Sequence, residues 1–410
     1  MGPGVKDHMD EVEIGERGFG PTGDRTVCLE CICDEGLRAQ VAAHLTEHAC
    51  TFCGREAADG VPIAANFEAL MYPVIDAIRF LYERSGESLF WDDDVTRRYS
   101  SWDVAQEVCD WAVSDHVLEA ILHVITSDDW NKDPGVLAPN VALYHAWSNF
   151  CKKIKHETRF VFLSIPEEHS DHPDEFTTRE ILDKLMEIVQ SHKILTDIPT
   201  GRVFYRGRMV DDSMTAGYDA SKLGSPPLGK AAANRMSPAG ISMFYGCDDV
   251  DTVVAEISSH RERHFAVIGA FETVRPLRIV NLAALPTIPS VFDLQGRKRY
   301  YELLFLWSFA RDLSKPVILD GREHIDYVPT QVVTEFIRWL PAAAIDGILY
   351  RSAQNGGTSC VIFCGPDGCA DEGAETDDTI LRLKAGSLQA VPVPPRPVMP
   401  PPPPDLHSTG

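Results

Sequence analysis

The chain has 410 residues, 44% of them hydrophobic and 24% charged, which leaves room for two or three domains with sizeable cores. Its 61 Asp plus Glu against 38 Lys plus Arg give a formal net charge of -23. That balance argues against a general nucleic-acid binder or a partner of anionic membranes, because both need a basic surface.

Residues 1–24 are Gly-rich and polar, with no apolar signal core, and are expected to be mobile. The sequence contains no run of about 18 apolar residues of the kind needed to span a bilayer, so a cytoplasmic protein is expected. Residues 25–58 hold five of the eleven cysteines. Cys28 and Cys31 form one C-x-x-C, Cys50 and Cys53 a second, with eighteen residues between Cys31 and Cys50. Two such knuckles match a tetrahedral four-cysteine zinc site, because each turn can present two thiolates to one ion. A closed set of four thiolates leaves no open position, so the expected role of the metal is folding rather than catalysis. Cys33 is a spare thiol that could take the place of Cys31, and buried or redox cysteines are the alternative.

From 59 to 198 apolar residues recur at steps of three and four in "NFEALMYPVIDAIRFLYER", "VAQEVCDWAVSDHVLEAILHVI", "NVALYHAWSNFCKKI" and "TTREILDKLMEIVQSH". The pattern predicts a helical bundle. Residues 199–389 change texture to short β-rich runs with a few helices, which predicts a mixed α/β or α+β domain. Residues 390–410, "VPVPPRPVMPPPPPDLHSTG" with the residue before them, predict an extended polyproline tail.

Four tracts of the 199–389 domain carry candidate chemistry. In "VFYRGR" strand alternation sets Arg206 and Arg208 on one face, and arginine forks suit phosphate. In "NRMSPAGISMFYG" Arg235 precedes a turn, and the strand ends on Tyr245, whose ring could meet a flat base or equally pack in the core. "DDVDTVVAEISSH" reads as a helix capped by Asp248 or Asp249, with Val250, Val253, Val254 and Ile257 toward the core and Glu256 beside that face. "DGILYRSAQNGGTSCVIF" reads as a hairpin with Ile348, Tyr350 and Ser352 on one face.

Read together, these tracts resemble the RES domain, named for its Arg, Glu and Ser, whose members include toxins of bacterial toxin-antitoxin pairs. The resemblance implies a fold related to ADP-ribosyltransferases and destruction of NAD+ at the nicotinamide-ribose bond. It places Arg206, Arg235, Tyr245, Glu256 and Ser352 at the family's functional positions, with Ser237 where the family commonly has an Asn. Arg206, Glu256 and Ser352 are then the catalytic candidates, and Arg206, Arg235, Tyr245 and Ser352 the NAD+ ligands. The cysteine knuckles and the tract from Trp147 to Phe160 resemble the HEPN-like unit found in front of some RES domains. HEPN ribonucleases carry R-x(4-6)-H, whereas here His156 and Arg159 stand in reverse order and too close, so a sensor, dimerisation or autoinhibitory role is expected. The expected fold is therefore multidomain: a zinc knuckle and HEPN-like α-helical bundle, then an α+β, ADP-ribosyltransferase-like RES domain.

No G-x-G-x-x-G follows a strand, so NAD+ is expected as substrate rather than hydride cofactor. Zinc is the expected structural ion. An inhibitor or antitoxin protein and a homo-oligomer stay open as partners; a membrane or nucleic acid is not expected. A HEPN-type ribonuclease with a regulatory RES-like part, and a non-catalytic dinucleotide sensor, are the competing readings.

Overall fold

The computed structural model describes residues 12–58, 60–84, 98–132, 137–165, 171–172, 174–258, 264–315, 323–339 and 344–393. Most of the expected proline-rich tail, 394–410, and residues 1–11 lie outside them. The chain divides into two units, one of residues 1–146, 169–176 and 287–305, the other of 147–168, 177–286 and 306–410. Among the described residues no helix is long and apolar enough to cross a membrane.

The first unit is built from short strands and helices around the cysteines. In order these are β1 (Thr26–Cys28), α1 (Glu35–Ala42), β2 (Leu45–Glu47), β3 (Ala64–Asn66), α2 (Phe67–Leu81), β4 (Glu83–Arg84), β5 (Tyr99–Ser100), α3 (Ser101–Cys109), α4 (Asp115–Val124) and β6 (Asp129–Asn131). The strands make two three-stranded sheets, β1-β3-β2 and β4-β6-β5. Cys28, Cys31 and Cys50 belong to the same buried cluster as Leu70, Val74 and Ile78 of α2, so the knuckle and the helices share one core.

Two local expectations are corrected here. Residues 12–24 are not a mobile terminus: Phe19 is fully buried and packs edge-on against Tyr72, because an apolar ring between two glycines can fold into the core. The helical run "VAQEVCDWAVSDHVLEAILHVI" is two helices. It breaks between Cys109 and Asp115, where the backbone turns to the knuckle instead: Cys33 N–H donates to the Ala112 carbonyl at 2.8 Å and Ser114 N–H to the Cys31 carbonyl at 3.0 Å. Backbone groups at a helix end need partners, and here the knuckle turn supplies them.

Residues 287–305 complete this core. Phe292 is fully buried, the Gln40 side-chain amide donates to its carbonyl at 2.5 Å, and Ser290 Oγ donates to Asp34 at 2.9 Å. Removing the Phe292 ring leaves a void where α1 rests. Phe292→Ala is expected to destabilise this unit by about 3–5 kcal/mol, seen as a lower urea midpoint and faster amide exchange at Leu37 and Val41; unchanged exchange there would contradict the packing.

The second unit is built on one large sheet. After α5 (Pro139–His156), which the unit enters at Trp147, come α6 (Thr178–Ser191), β7 (Leu195–Ile198), β8 (Val203–Val210), α7 (Ala220–Leu223), β9 (Phe244–Cys247), α8 (Val250–Ser258), β10 (Phe265–Thr273) and β11 (Leu277–Asn281). They are followed by α9 (Arg297–Ser314), which the unit enters at Leu306, α10 (Glu323–Asp326), α11 (Val328–Trp339), β12 (Gly347–Arg351), β13 (Thr358–Ile362), β14 (Cys369–Asp371), β15 (Leu381–Leu383) and β16 (Gln389–Pro392). The strand order is β14-β15-β10-β8-β9-β13-β12-β11-β7, with β16 pairing β10 beside that path. Pairs are antiparallel except β11 with β12 and β14 with β15, so the sheet is mixed. Residues 390–392, the start of the expected proline-rich tail, thus belong to a sheet strand.

Each face of the sheet buries its own cluster. Phe204, Phe244, Phe271 and Ile279 pack on one side, and α8 covers the other over Tyr205, Met209, Ala266 and Ile268. The glycine of "RGR" has a clear cause. A Cβ on Gly207 would lie 2.7 Å from Val253 and 3.1 Å from Ile257, so only glycine lets α8 lie this close to β8.

Candidate functional site

The site begins where β8 and β9 part. They share one ladder pair, Tyr205 with Cys247, whereas β8 and β10 pair over eight residues. Beyond that pair lies a cavity of about 220 Å³, lined by Tyr205, Arg206 and Gly207 from β8, Tyr245 from β9, Glu256 from α8 and Tyr350 from β12, among others. Three of the five residues singled out in this domain, Arg206, Tyr245 and Glu256, therefore converge on one pocket.

Arg206 spans the parting strands. Its Nη1 donates to the Tyr245 carbonyl at 2.6 Å, and its guanidinium lies over the Phe244 ring at 5.2 Å. Nε is buried with no hydrogen-bond partner, and among the described residues no carboxylate forms an ion pair with this side chain. Burial lowers its pKa, with Arg208 adding to the effect and Cys369 opposing it. An arginine stays charged under such a shift, so a half-buried cation stands beside the pocket. That is an environment for an anionic group. Arg208, though on the same strand face, is exposed and does not reach the cavity.

Tyr245 turns its hydroxyl to Ser237, 2.9 Å away. Burial pushes its pKa up to about 12, so it remains a neutral phenol. Tyr350 is buried on the same side, its pKa raised well above the ordinary value by burial and then by Glu256. Three tyrosines, Tyr205, Tyr245 and Tyr350, therefore line the pocket beside Arg206 and Glu256.

Glu256 owes its place to α8. Asp249, rather than Asp248, caps this helix, accepting from Thr252 N–H at 2.7 Å. Ser352 lies just past the end of β12 and is buried; its Oγ donates to Glu256 Oε1 at 2.6 Å. Ser352 is thus joined to the site through Glu256 rather than by lining the cavity. Arg235 does not line the cavity, although its charge acts on Tyr245 and Tyr350. Its Nη1 donates to the Leu313 carbonyl at 2.9 Å and its guanidinium sits 5.9 Å over the Tyr327 ring, while the adjacent Asn234 lines the pocket. Tyr350 and Asn234 were not singled out as site residues from the sequence. The alternation that puts Ile348, Tyr350 and Ser352 on one face was the available signal for Tyr350; Asn234 had none.

In the first unit Cys28, Cys31, Cys50 and Cys53 bring their sulfurs within 4.8 Å of one another, a group that could hold a metal ion. Sulfur separations are 3.7 Å for Cys28–Cys31, 3.6 Å for Cys28–Cys53 and 3.8 Å for Cys31–Cys50. Four thiolates about 2.3 Å from one ion would sit about 3.8 Å apart at tetrahedral angles, so the donor set fits such an ion. Burial pushes the Cys28 and Cys31 thiols up; at Cys50 burial also raises, but backbone N–H groups of Cys53, Cys28 and Phe52 outweigh it and bring it down to about 7. Cys33 is exposed and outside the group, which settles its rivalry with Cys31. His156 is exposed at the end of α5, and Arg159 Nη2 donates to the Lys155 carbonyl at 3.2 Å, closing that helix end.

Residues 43–168 match the family HEPN/RES N-terminal domain 1, and residues 213–383 match the RES domain. The chain therefore carries a HEPN/RES N-terminal domain followed by a RES domain. No curated protein and no solved structure matches it. The RES match includes Arg235, Tyr245, Glu256 and Ser352 and starts seven residues after Arg206. It also includes 287–305, which packs in the first unit.

Proposed function

We propose that the pocket of the RES domain binds NAD+ and breaks its nicotinamide-ribose bond, on a scaffold related to ADP-ribosyltransferases. The observation that carries this reading is the meeting of Arg206, Tyr245 and Glu256 in one cavity, with Ser352 bonded to Glu256. At about 220 Å³ the cavity is smaller than the roughly 300–1,000 Å³ of sites that enclose a whole drug-sized ligand. It suits one end of the dinucleotide, nicotinamide and its ribose, with the remainder over the rim.

Arg206 matches the pyrophosphate charge as a cation among the residues that line the cavity. Tyr245 and Tyr350 offer faces to the nicotinamide ring. As the C1′–N bond breaks, its electron pair leaves with nicotinamide and positive charge gathers on the ribose. The Glu256 carboxylate stabilises that oxocarbenium-like state more than the ground state. Water, phosphate or a protein side chain then takes the ribose carbon. The four cysteines hold a structural zinc, and the N-terminal unit gates the RES domain in a toxin or stress effector.

The test is nicotinamide release from NAD+ by the purified full-length protein, with and without phosphate. Arg206→Ala is expected to raise KM about 10- to 100-fold, the loss of one charge-assisted contact. Release with an unchanged KM in that variant would remove Arg206 from the substrate site.

A further inference from the structure

Glu256 sits on a nine-residue helix, and something must hold the Ser352 turn against it. Thr252 lies one helical turn before Glu256, and the i, i+4 spacing puts both on one stripe of α8. Thr252 is 1% exposed although it is polar. Its Oγ1 donates to Asp249 Oδ2 at 2.9 Å and accepts from Asn355 Nδ2 at 3.1 Å. Asn355 in turn accepts from Gly357 N–H at 3.0 Å.

A second observation points the same way. A Cβ on Gly357 would lie 2.0 Å from Thr252 Oγ1, so the turn's backbone is pressed directly onto that hydroxyl. The turn is closed by Ser352 itself: its N–H donates to the Gly357 carbonyl at 2.7 Å and its carbonyl accepts from Gly356 N–H at 3.0 Å. Its Oγ accepts from Gln354 N–H at 3.1 Å while donating to Glu256. The hairpin turn thus meets α8 at two points on one stripe, Asn355 on Thr252 and Ser352 on Glu256.

We propose that Thr252 is a positioning residue for Glu256: it fastens the Ser352–Gly357 turn to α8, so that the Ser352 hydroxyl stays on the carboxylate. The catalytic consequence rests on the NAD+-cleaving reading; the fastening does not. Thr252→Val keeps the shape and removes the hydroxyl, whereas Thr252→Ser keeps the hydroxyl.

The experiment measures nicotinamide release and amide exchange at Gln354 in full-length protein. Thr252→Val is expected to lower kcat about 10- to 100-fold with KM within about twofold, the cost of a misplaced catalytic group. Exchange at Gln354 rises with it, and Thr252→Ser stays near the wild type in both readouts. A wild-type kcat in Thr252→Val, or a Thr252→Ser that falls as far, would overturn the proposal. If the wild type releases no nicotinamide, exchange alone decides the fastening: unchanged protection at Gln354 in Thr252→Val sinks it. Should Thr252→Val not fold, Asn355→Ala on the exposed turn is read in the same way.

Discussion

Glu256→Gln is expected to lower kcat for nicotinamide release by about 10²–10³-fold while leaving KM within a few-fold. The substitution keeps the side chain's length and an oxygen that can still accept from Ser352 Oγ, now 2.6 Å from Oε1. What it removes is the negative charge. A carboxylate that faces a developing cation in a partly enclosed cavity acts mainly in the transition state, so the loss falls on kcat rather than on binding. The measurement is single-variant kinetics by nicotinamide chromatography, beside circular dichroism to show that the fold is kept. Full activity in the glutamine variant would mean that Glu256 shapes the pocket without stabilising charge.

Metal removal is expected to have the largest effect on stability. Apparent binding energies of about 10–16 kcal/mol for four-ligand zinc sites are folding energies, because the unfolded chain has no preformed site. Here three of the four cysteines lie in the core shared with α2, so the loss would spread beyond the knuckle. A chelator, or Cys31→Ser, is expected to release one equivalent of zinc and to abolish amide protection at Leu70 and Val74. Cys33→Ser is expected to change neither, since that thiol is exposed outside the cluster. Retained protection after complete metal loss would show that the apolar core suffices alone.

The sequence was most informative where neighbours along the chain decide the outcome. Two C-x-x-C turns sufficed to choose Cys28, Cys31, Cys50 and Cys53, because each turn brings its own pair of thiols together. Helical spacing marked α2 and α6, and a Thr177–Glu180 capping box starts the latter. The apolar stripe of α8 and the β12–β13 hairpin were legible for the same reason. The RES and HEPN/RES matches agree with the architecture read from motifs.

Tertiary structure decided what depends on distant partners. Alternation puts Arg206 and Arg208 on one strand face, but the cavity opens only beside Arg206, where β8 and β9 separate after a single pair. Arg235 has its guanidinium drawn to Leu313 and Tyr327, 78 and 92 positions away, and so stays out of the pocket. Ser352 reaches Glu256 across 96 positions only because β9, β13 and β12 are neighbours in the sheet. The break between α3 and α4 follows from knuckle carbonyls and amides that no local pattern announces. Turn geometry and helical period are carried by a few adjacent residues, and these the sequence determines by itself. Strand neighbours, register and the burial of a charge arise from contacts across the whole sheet, and these exist only once the chain has folded.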